Sequence, residues 1–511
     1  MKFNAETKML GFIETDFESA AEQSVEADIS LPDYCPEIKR ILRCTVTADI
    51  LSVQSSDDKI TAQGNAAVRV IYIGDNDKLS AYEQNCPIQK SIESDRFRSG
   101  NSVTVRAVTD YVNCRAVSSR RIDIRGMLTF VFKSVRKREE NILTGADGNG
   151  IQLLSSDYSY ADLKTVTEKP FFLTEVIELP SEKPVIGRII NSSAYISVSE
   201  KKVINNKMLI KGDCYIKLYY ISENDASVEC TEHSIPVSQI IEADGITDSC
   251  ESFLNLNITA CEAVSKVDSS GDTKLIDINI RVSASVIAFE NSNINLISDA
   301  YSTECGTKNS FKSIDILSLN TVSDNSFTNK VVLESIGVSV ESVHALWCND
   351  MRYNCSLKDN KCLMSGNYQV TVIYKDAEKQ FGVIQKPVDF EYSVALKKPC
   401  ERIVCYPMVQ LCGCTCAVAG ESKLEIKTEI NASLSILSSE IVRYINDIEA
   451  VENKDDEKEA CALTVYFSDE NEKIWNIAKR YGTTVEAIME ENGLDCETLT
   501  EKRTLLIPGI S

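Results

Sequence analysis

Apolar and polar residues alternate along much of the chain, and the pattern is clearest after a glycine that recurs three times. The stretches KITAQGNAAVRVIY, KMLIKGDCYIKLYY and KCLMSGNYQVTVIY (59–72, 207–220 and 361–374) each run from Lys through Gly to an apolar segment that ends in Tyr. A period of two with one apolar face predicts a half-buried strand. Glycine at one fixed position predicts a bulge or a close backbone approach, where a Cβ would be costly.

A second motif recurs at the same interval. The segments LPDYCPEIKRIL (31–42) and LPSEKPVIGRII (179–190) share six residues at the same offsets and begin 148 residues apart, as do Gly64 and Gly212. Gly366 follows after a further 154 residues, although FTNKVVLESIGVSVESV takes the place of this Leu-Pro motif there. Self-similarity at a nearly fixed period indicates duplicated domains, of which the third has diverged at its entrance.

These periodicities predict a mainly β protein, with three β-rich, sandwich-like repeat domains and a small C-terminal α+β module of βααβ order. Polar segments at 141–170 and 298–313 and the charged run ENKDDEKEA (452–460) indicate the boundaries. The expected divisions are a first domain with an N-terminal arm (1–145), a second domain (146–305), a third, diverged domain (306–451), a charged linker (452–461) and the C-terminal module (462–511).

Several side chains recur with the motifs. Arg40 and Arg188 end the two Leu-Pro motifs, and a repeated arginine beside a strand can bind a partner's carboxylate. The favoured interpretation is that each arginine covers a sheet edge or pairs within its own domain. Tyr72, Tyr220 and Tyr374, which end the glycine stretches, are expected in the core or at a sheet edge rather than in a ligand site.

Composition and charge narrow the function. The 511 residues are 43% hydrophobic and 25% charged, which is typical of a globular chain, and the formal net charge is −22. Because no long basic run offsets this charge, nucleic acid is not an expected partner. The start lacks the apolar core of a secretory signal, and no apolar run reaches 18 residues. We therefore expect a cytoplasmic protein with no transmembrane segment.

Nineteen cysteines are many, but the number is odd and no export signal leads to an oxidising compartment. Most are expected to be free, buried thiols. The best metal candidates are Cys412, Cys414 and Cys416 in LCGCTCAV, with Cys405 seven residues earlier. Alternation on a strand places such sulfurs about 7 Å apart, which is far for one tetrahedral ion. Neither a metal nor another cofactor is therefore predicted.

The sequence offers no clear catalytic constellation. The only two histidines, His233 and His344, stand in neither HExxH nor HxH spacing, and no GxSxG motif is present. The glycine-containing GADGNG (145–150) lacks the lysine and the preceding apolar strand of a phosphate-binding loop. The protein is accordingly predicted not to be an enzyme.

The last fifty residues follow a different period. After the strand-like LTVYF, Ile474, Ile477 and Ala478 fall on one helical face, and Gly482 ends that helix. Thr483 and Glu486 form a predicted capping box for a second helix, Val485–Asn492, and TLLIP supplies the last strand. The order is strand, helix, helix, strand.

This segment resembles a LysM module, a family that typically binds N-acetylglucosamine-containing glycans such as peptidoglycan. The specific part of the resemblance is IWNIAKRYGTTVEAIMEENGL (474–494). In the family, a Gly-Asp-Thr triplet precedes the first helix and helps to hold the sugar, whereas here the triplet is Asn471, Glu472 and Lys473. The resemblance implies that Trp475 packs the first helix against the sheet.

The resemblance also directs attention to the two loops of the module. The candidate partner- or glycan-binding residues are Asp469, Glu470, Asn471, Glu472 and Lys473 before the first helix, and Leu494, Asp495 and Thr498 after the second. Both loops are charged, so a protein contact through them should weaken with salt. Because the sugar loop departs from the family triplet, a protein surface is the favoured ligand.

The Leu-Pro motif, the GxxxVxVxY-like strand and the terminal module together resemble the SipL-type clostridial spore-coat morphogenetic proteins. This family implies a protein in the mother-cell cytoplasm at the forespore surface, where it helps to localise spore coat assembly. It also implies that the LysM module takes part in binding the coat morphogenetic ATPase or another coat protein. Two alternatives stay open, a peptidoglycan-binding LysM protein and an enzyme with an unrecognised site in the repeats.

Overall fold

A computed structural model describes residues 3–56, 58–95, 102–334, 337, 339–420, 422–451 and 463–509. Within these ranges most of the chain is β-strand, and the two helices lie near the C-terminus. The predicted fold class, mainly β with a small C-terminal α+β module, is confirmed. The charged linker predicted at 452–461 lies outside the described residues.

The first 451 residues form three units of six strands. The first unit comprises β1 (Asn4–Ser30), β2 (Ile38–Ser56), β3 (Lys59–Gly74), β4 (Leu79–Glu93), β5 (Ser102–Ser118) and β6 (Arg121–Asp147). The second comprises β7 (Ile151–Glu178), β8 (Ile186–Ile204), β9 (Lys207–Ser222), β10 (Val228–Glu242), β11 (Glu251–Lys266) and β12 (Leu275–Ser302). The third comprises β13 (Gly306–Leu333), β14 (Ser342–Lys358), β15 (Lys361–Lys375), β16 (Phe381–Ala395), β17 (Ile403–Gly420) and β18 (Lys423–Val451).

Every unit has the same topology. Its second, third and fourth strands form one antiparallel sheet, and its first, sixth and fifth strands form another, with the sixth strand in the middle. The two sheets pack face to face as a sandwich, and each unit buries its own apolar core between them. The alternating pattern of the glycine stretches places their apolar side chains in this core, and Tyr72, Tyr220 and Tyr374 are buried there as expected.

The recurring glycines lie where two strands approach closely. A Cβ added to Gly64, Gly212 or Gly366 would stand 2.0 Å from the carbonyl oxygen of Asp49, Ser197 or Arg352, respectively, on the neighbouring strand. The strand register shifts beside each glycine, as in a β-bulge. The predicted close approach is therefore confirmed in all three units.

The Leu-Pro motif forms a turn that connects the two sheets of a unit. Tyr72 donates a hydrogen bond to the carbonyl oxygen of Pro36 at 3.2 Å, and Tyr220 donates one to that of Pro184 at 3.1 Å. Each tyrosine ends a glycine stretch, and each proline is the second of a Leu-Pro motif. The two motifs thus recur together because one is bonded to the other.

The three units share two apolar clusters to which each unit contributes. One lies among the ends of the long first and sixth strands, and the other lies among the second, third and fourth strands. Members of the first include Phe12, Tyr160, Ile314 and Tyr444, and members of the second include Ile73, Tyr219, Trp347 and Ile373. The polar segments expected to be boundaries, 141–170 and 298–313, are largely strand, because their alternate residues reach these and neighbouring clusters.

Arginines near the Leu-Pro motifs connect neighbouring units. Arg40 of the first unit donates to the carbonyl oxygen of Phe381 in the third at 2.8 Å. Arg188 of the second unit contacts the Cys35 sulfur at 3.8 Å and lies over the ring of Tyr34, both in the first unit. The expectation that these arginines act within their own domain is wrong, because each reaches across a boundary between units.

A substitution at one recurring glycine tests the close approach. We expect Gly212→Ala to lower the free energy of unfolding of the second unit by about 2–4 kcal/mol, since its Cβ would overlap a backbone oxygen that cannot move aside. Thermal and urea unfolding would measure the change. Gly413→Ala is the matched control, because nothing lies within 4 Å of its added Cβ. Equal stability of the two variants would contradict the assignment.

Candidate binding site in the C-terminal module

The C-terminal module is a two-stranded sheet covered by two helices. It comprises β19 (Leu463–Phe467), α1 (Ile474–Tyr481), α2 (Val485–Asn492) and β20 (Thr504–Pro508). Each helix ends at a glycine in the left-handed region, Gly482 with φ 66° and Gly493 with φ 60°. Apolar side chains of both helices and of β20 form the core.

The second helix spans the predicted residues, Val485–Asn492, but its capping residue differs from the predicted one. Thr484, not Thr483, is the N-cap, and its hydroxyl accepts a hydrogen bond from the backbone N–H of Ala487 at 3.1 Å. Thr483 is fully buried. Two consecutive threonines offered the same capping chemistry, and the sequence alone did not separate them.

The two loops named as candidates lie side by side. The Asn471 N–H donates to the Leu499 carbonyl at 2.8 Å, and the Leu499 N–H donates to the Glu472 carbonyl at 3.0 Å. An isolated bridge also pairs Lys473 with Thr498. Because the backbones are joined in this way, the exposed side chains of both loops form one continuous surface.

Most candidate side chains are available on that surface, and two are not. Asp469, Glu470, Asn471, Lys473, Asp495 and Thr498 are exposed. Leu494 is half-buried and packs against the module core. Glu472 is half-buried too, and its carboxylate accepts hydrogen bonds from the Tyr466 hydroxyl at 2.8 Å and the Asp469 N–H at 3.1 Å. The bond to Glu472 raises the pKa of Tyr466.

The loop that precedes α1 keeps part of the geometry expected of its family and loses part of it. Asn471 has φ 64°, the left-handed conformation that glycine adopts readily and asparagine tolerates. Lys473 occupies the N-cap of α1, where it makes no side-chain capping bond. Lys502, 2.9 Å from Asp469, lowers the pKa of that carboxyl. The loop therefore presents charged side chains where the family triplet has aspartate and threonine.

Trp475 joins the module to the second six-strand unit. Its indole is almost fully buried and contacts the ring of Tyr301 edge-on, with centroids 4.9 Å apart. Its Nε1–H donates to Asp299 at 2.9 Å, and the Lys479 ammonium lies 2.7 Å from the same carboxylate. Tyr301 in turn donates to the Thr483 carbonyl at 2.8 Å. The sequence of the module predicts only that Trp475 packs α1 against its own sheet. It does not predict the contact with the second unit, because Asp299 and Tyr301 lie outside the module.

One face of the two-stranded sheet is apolar and exposed. Leu463, Val465 and Phe467 alternate along β19, and their exposed fractions are 47%, 55% and 78%. Tyr466, between them, points to the other face and contacts the ring of Tyr481. We call Leu463, Val465 and Phe467 the β19 stripe. The stripe lies next to the loop that begins at Ser468, so an apolar strip adjoins the charged surface.

Comparison with known families agrees with this geometry. A family model described as SipL, SPOCS domain matches residues 37–117 and 185–265, and a LysM domain model matches residues 470–508. The chain carries the domains of a SipL-type protein. Each SPOCS match runs from the second to the fifth strand of a unit, in the first and second units. The LysM match covers both helices and, apart from Asp469, both loops. Both are non-catalytic domain families. No curated protein and no solved structure matches significantly.

Neither helix among the described residues has the length and apolar character that crossing a membrane requires. The LysM match by itself suggests a glycan ligand. The surface that adjoins the LysM loops, however, combines charge with the apolar β19 stripe.

Two large cavities lie between the six-strand units. The larger, about 580 Å³, is lined by all three units and includes Glu168 and Tyr353. The Glu168 carboxylate accepts from the Ser283 hydroxyl, its second oxygen has no partner, and burial raises its pKa to about 7. The smaller, about 460 Å³, includes Asp49, whose pKa is raised to about 7 by burial and by nearby carboxylates. Raised carboxyl pKa values accompany catalytic sites and buried structural carboxyls alike.

The thiols of the described residues are all free, and most are half-buried rather than fully buried. Cys412, Cys414 and Cys416 lie along β17 and do not converge. The Cys414 thiol instead donates to the carbonyl oxygen of Leu346 at 3.7 Å, and the neighbouring Cys348 thiol raises its pKa. A different set does converge within the described ranges, namely Cys355, Cys362 and Cys405. Hydrogen bonds from Cys355 and Cys405 lower the pKa of the Cys362 thiol well below its ordinary value.

The attachment of the LysM module can be tested at Asp299. Asp299→Ala removes the acceptor of Trp475 and the ion pair with Lys479, and charged hydrogen bonds of this kind contribute about 1.5–3 kcal/mol each. We expect the amides of α1 to exchange with deuterium at least tenfold faster. Asp324→Ala, an exposed aspartate of the third unit that accepts from Ser433, is the control. Unchanged exchange in α1 would show that the contact does not hold the module.

The missing cap of α1 gives a second prediction. Lys473→Thr should stabilise the module by about 1 kcal/mol, because a threonine at the N-cap can accept a bond from the first turn. Lys473→Ala removes the same charge without adding an acceptor and should give no such gain. Hydrogen exchange of α1 would compare the two variants. Equal protection in both would mean that charge, not capping, governs this helix end.

Proposed function

We propose that this protein is a non-enzymatic scaffold in spore coat assembly, and that its LysM module binds the coat morphogenetic ATPase. In this proposal the protein acts in the mother-cell cytoplasm at the forespore surface. The proposed domains are 1–145, 146–305 and 306–451, and the linker 452–461 joins them to the partner-binding module 462–511. The SPOCS and LysM matches support the sporulation context, and the details rest on the surface of the module.

The observation that carries the proposal is the exposed β19 stripe. A contiguous apolar strip on a soluble surface is typical of a protein contact, particularly where charged residues border it. The stripe adjoins Asp469 and Glu470 along the chain, and the side chains of the stripe and of these two residues are exposed. A protein partner with an apolar patch and a basic rim would complement both features.

The residues of the sugar loop support the same partner class. Glu472 directs its carboxylate back to Tyr466 and the Asp469 N–H, so it is committed to the loop itself. Lys473 and Asp469 add opposite charges on the exposed side. Polar glycan recognition relies on free hydrogen-bonding groups aimed at the ligand, and the Glu472 carboxylate, at the position of the family aspartate, is not free in this way.

A glycan ligand is the second candidate. It is favoured by the LysM match at 470–508 and by the adjacency of the two loops, which resembles the site that the family uses. Asn471 also keeps the left-handed turn that the family glycine would adopt. A peptidoglycan fragment could therefore still lie across Asn471 and Thr498.

The six-strand units supply the scaffold in this proposal. The matched families are non-catalytic. Burial raises the pKa of Glu168 in the larger cavity and the pKa values of Asp49 and Asp350 in the smaller one. Buried carboxyls at contacts between units fit a structural role. The net charge of −22 and the absence of a basic run in the sequence favour protein partners over nucleic acid.

A matched pair of double variants tests the partner surface. We expect Val465→Thr/Phe467→Gln, in the full chain, to weaken binding to the purified coat ATPase at least tenfold, because both side chains leave water in the complex. Phe172→Gln/Val176→Thr changes the same residue types, each more than half exposed, on the second unit and should leave binding unchanged. Surface plasmon resonance at two salt concentrations would measure both and would detect the charged contribution.

Asn471→Ala, together with the Val465→Thr/Phe467→Gln variant, separates the two candidate ligands. If soluble muropeptides bind the full chain and Asn471→Ala abolishes that binding, while the ATPase does not bind, the glycan candidate replaces the protein one. ATPase binding that persists unchanged in Val465→Thr/Phe467→Gln would place the contact elsewhere on the chain and contradict the assigned surface.

A further inference from the structure

Three cysteines of the third unit bring their sulfur atoms together inside the sandwich. Cys355 lies on β14, Cys362 on β15 and Cys405 on β17, and their Sγ atoms all lie within 4.8 Å of one another. Cys362 is fully buried, and the other two are half-buried. Apolar side chains of the third-unit core surround the three thiols.

The strand register explains how distant residues meet. β14 and β15 are joined by a tight turn at Asp359 and Asn360, which both have positive φ. Cys355 pairs with Met364, and Leu357 pairs with Cys362, so Cys355 and Cys362 are diagonal neighbours on one face. Cys405 comes from the edge strand of the opposite sheet. Both sheets of the sandwich therefore contribute sulfur to a single point.

The other two units lack thiols at the corresponding positions. The pairing of the second and third strands, counted from the recurring glycine, and the pairing of the fifth and sixth strands identify these positions. They are Val53, Ile60 and Val103 in the first unit, and Lys201, Met208 and Ser252 in the second. The first unit forms the same sandwich with aliphatic side chains there. The six-strand fold thus does not require three cysteines, and their convergence in the third unit calls for a chemical rather than a packing explanation.

We propose that Cys355, Cys362 and Cys405 bind one thiophilic d¹⁰ metal ion, of the class of Zn²⁺ or Cu⁺. With metal–sulfur bonds of about 2.3 Å, three sulfurs around one ion stand about 4 Å apart, which lies within the observed limit. Thiolates select soft and borderline ions over Mg²⁺ or Ca²⁺. On binding, each thiol releases its proton, and three bonds from sulfur to the metal form.

The surroundings allow either member of this class. Three thiolates complete a trigonal site for Cu⁺, whereas Zn²⁺ takes a fourth ligand. The cavity of about 580 Å³ is lined by Tyr353, two residues from Cys355 on β14, and by Val409, four residues from Cys405 on β17. In the zinc form a water molecule is the fourth ligand.

Metal binding by the full-length chain tests the proposal. Protein purified under reducing conditions and stripped by chelator is loaded with Zn²⁺ in one arm and Cu⁺ in the other, and the bound metal is quantified by mass spectrometry after gel filtration. We expect one ion per chain in at least one arm. Cd²⁺ loading should give the ultraviolet absorption of thiolate-to-cadmium charge transfer, which reports sulfur ligands directly.

Two variants and one control locate the site. Cys362→Ser should lose the ion, and so should Cys355→Val/Cys405→Val, which copies the first unit and keeps the sandwich packed. Cys348→Ser/Cys414→Ser removes the other thiol pair of the third unit and should retain one ion per chain. Circular dichroism and thermal unfolding establish that each variant is folded.

Three outcomes would overturn the proposal. The first is an unaltered chain that binds no stoichiometric ion in either arm. The second is a folded Cys355→Val/Cys405→Val variant that still binds one ion per chain with the cadmium absorption unchanged. The third is a disulfide between two of the three cysteines in protein alkylated at cell lysis, since that bond would remove two of the three ligands.

Discussion

The rest of the structure depends on burial of apolar side chains between the three units. Phe12, Tyr160 and Tyr444 meet in one shared cluster, and Tyr219 and Trp347 meet in the other. Large side chains of this kind contribute about 1.5–3 kcal/mol each when they are fully buried. Because each cluster draws on all three units, removing one unit would expose the faces of the other two. The units are similar in topology, but the molecule is held together as one body.

Polar contacts then fix how the units meet. Arg40 and Arg188, which occupy the same position of the Leu-Pro motif, each reach the neighbouring unit, and Arg43 lies buried over the ring of Trp347. Burial lowers the pKa of Arg43 to about 10, so the guanidinium stays charged at neutral pH. Burial of apolar side chains stabilises the contacts between units, and these directional hydrogen bonds fix the orientation of one unit relative to the next.

Local pattern was enough to predict the strands, the sandwich class and the close approach at Gly64, because alternation and a fixed glycine report directly on the backbone. The βααβ module followed from helical spacing and from Gly482 and Gly493. Contacts between distant residues could not be predicted in the same way. The contact of Trp475 with Tyr301 joins residues far apart in the chain. The N-cap of α2 is Thr484 and not the predicted Thr483, because two adjacent threonines offer the same capping group.

The cysteines illustrate the same limit. Cys412, Cys414 and Cys416 attracted attention because they are close in sequence, yet strand geometry spreads them along β17. Cys355 and Cys362 flank a turn, and a hairpin register could have paired them. Their meeting with Cys405 depends on how one sheet covers the other, which no periodicity in the chain specifies.

Docking through Trp475 and Asp299 sets the direction in which the module faces. A module on a flexible tether samples many orientations, so binding of a partner to one of them carries an entropic cost. Here the β19 stripe and both loops keep a constant angle to the three units. If the partner is a repeating polymer, each bound chain would project its units at the same angle, so neighbouring copies would stand in register along the lattice with high effective concentration for one another.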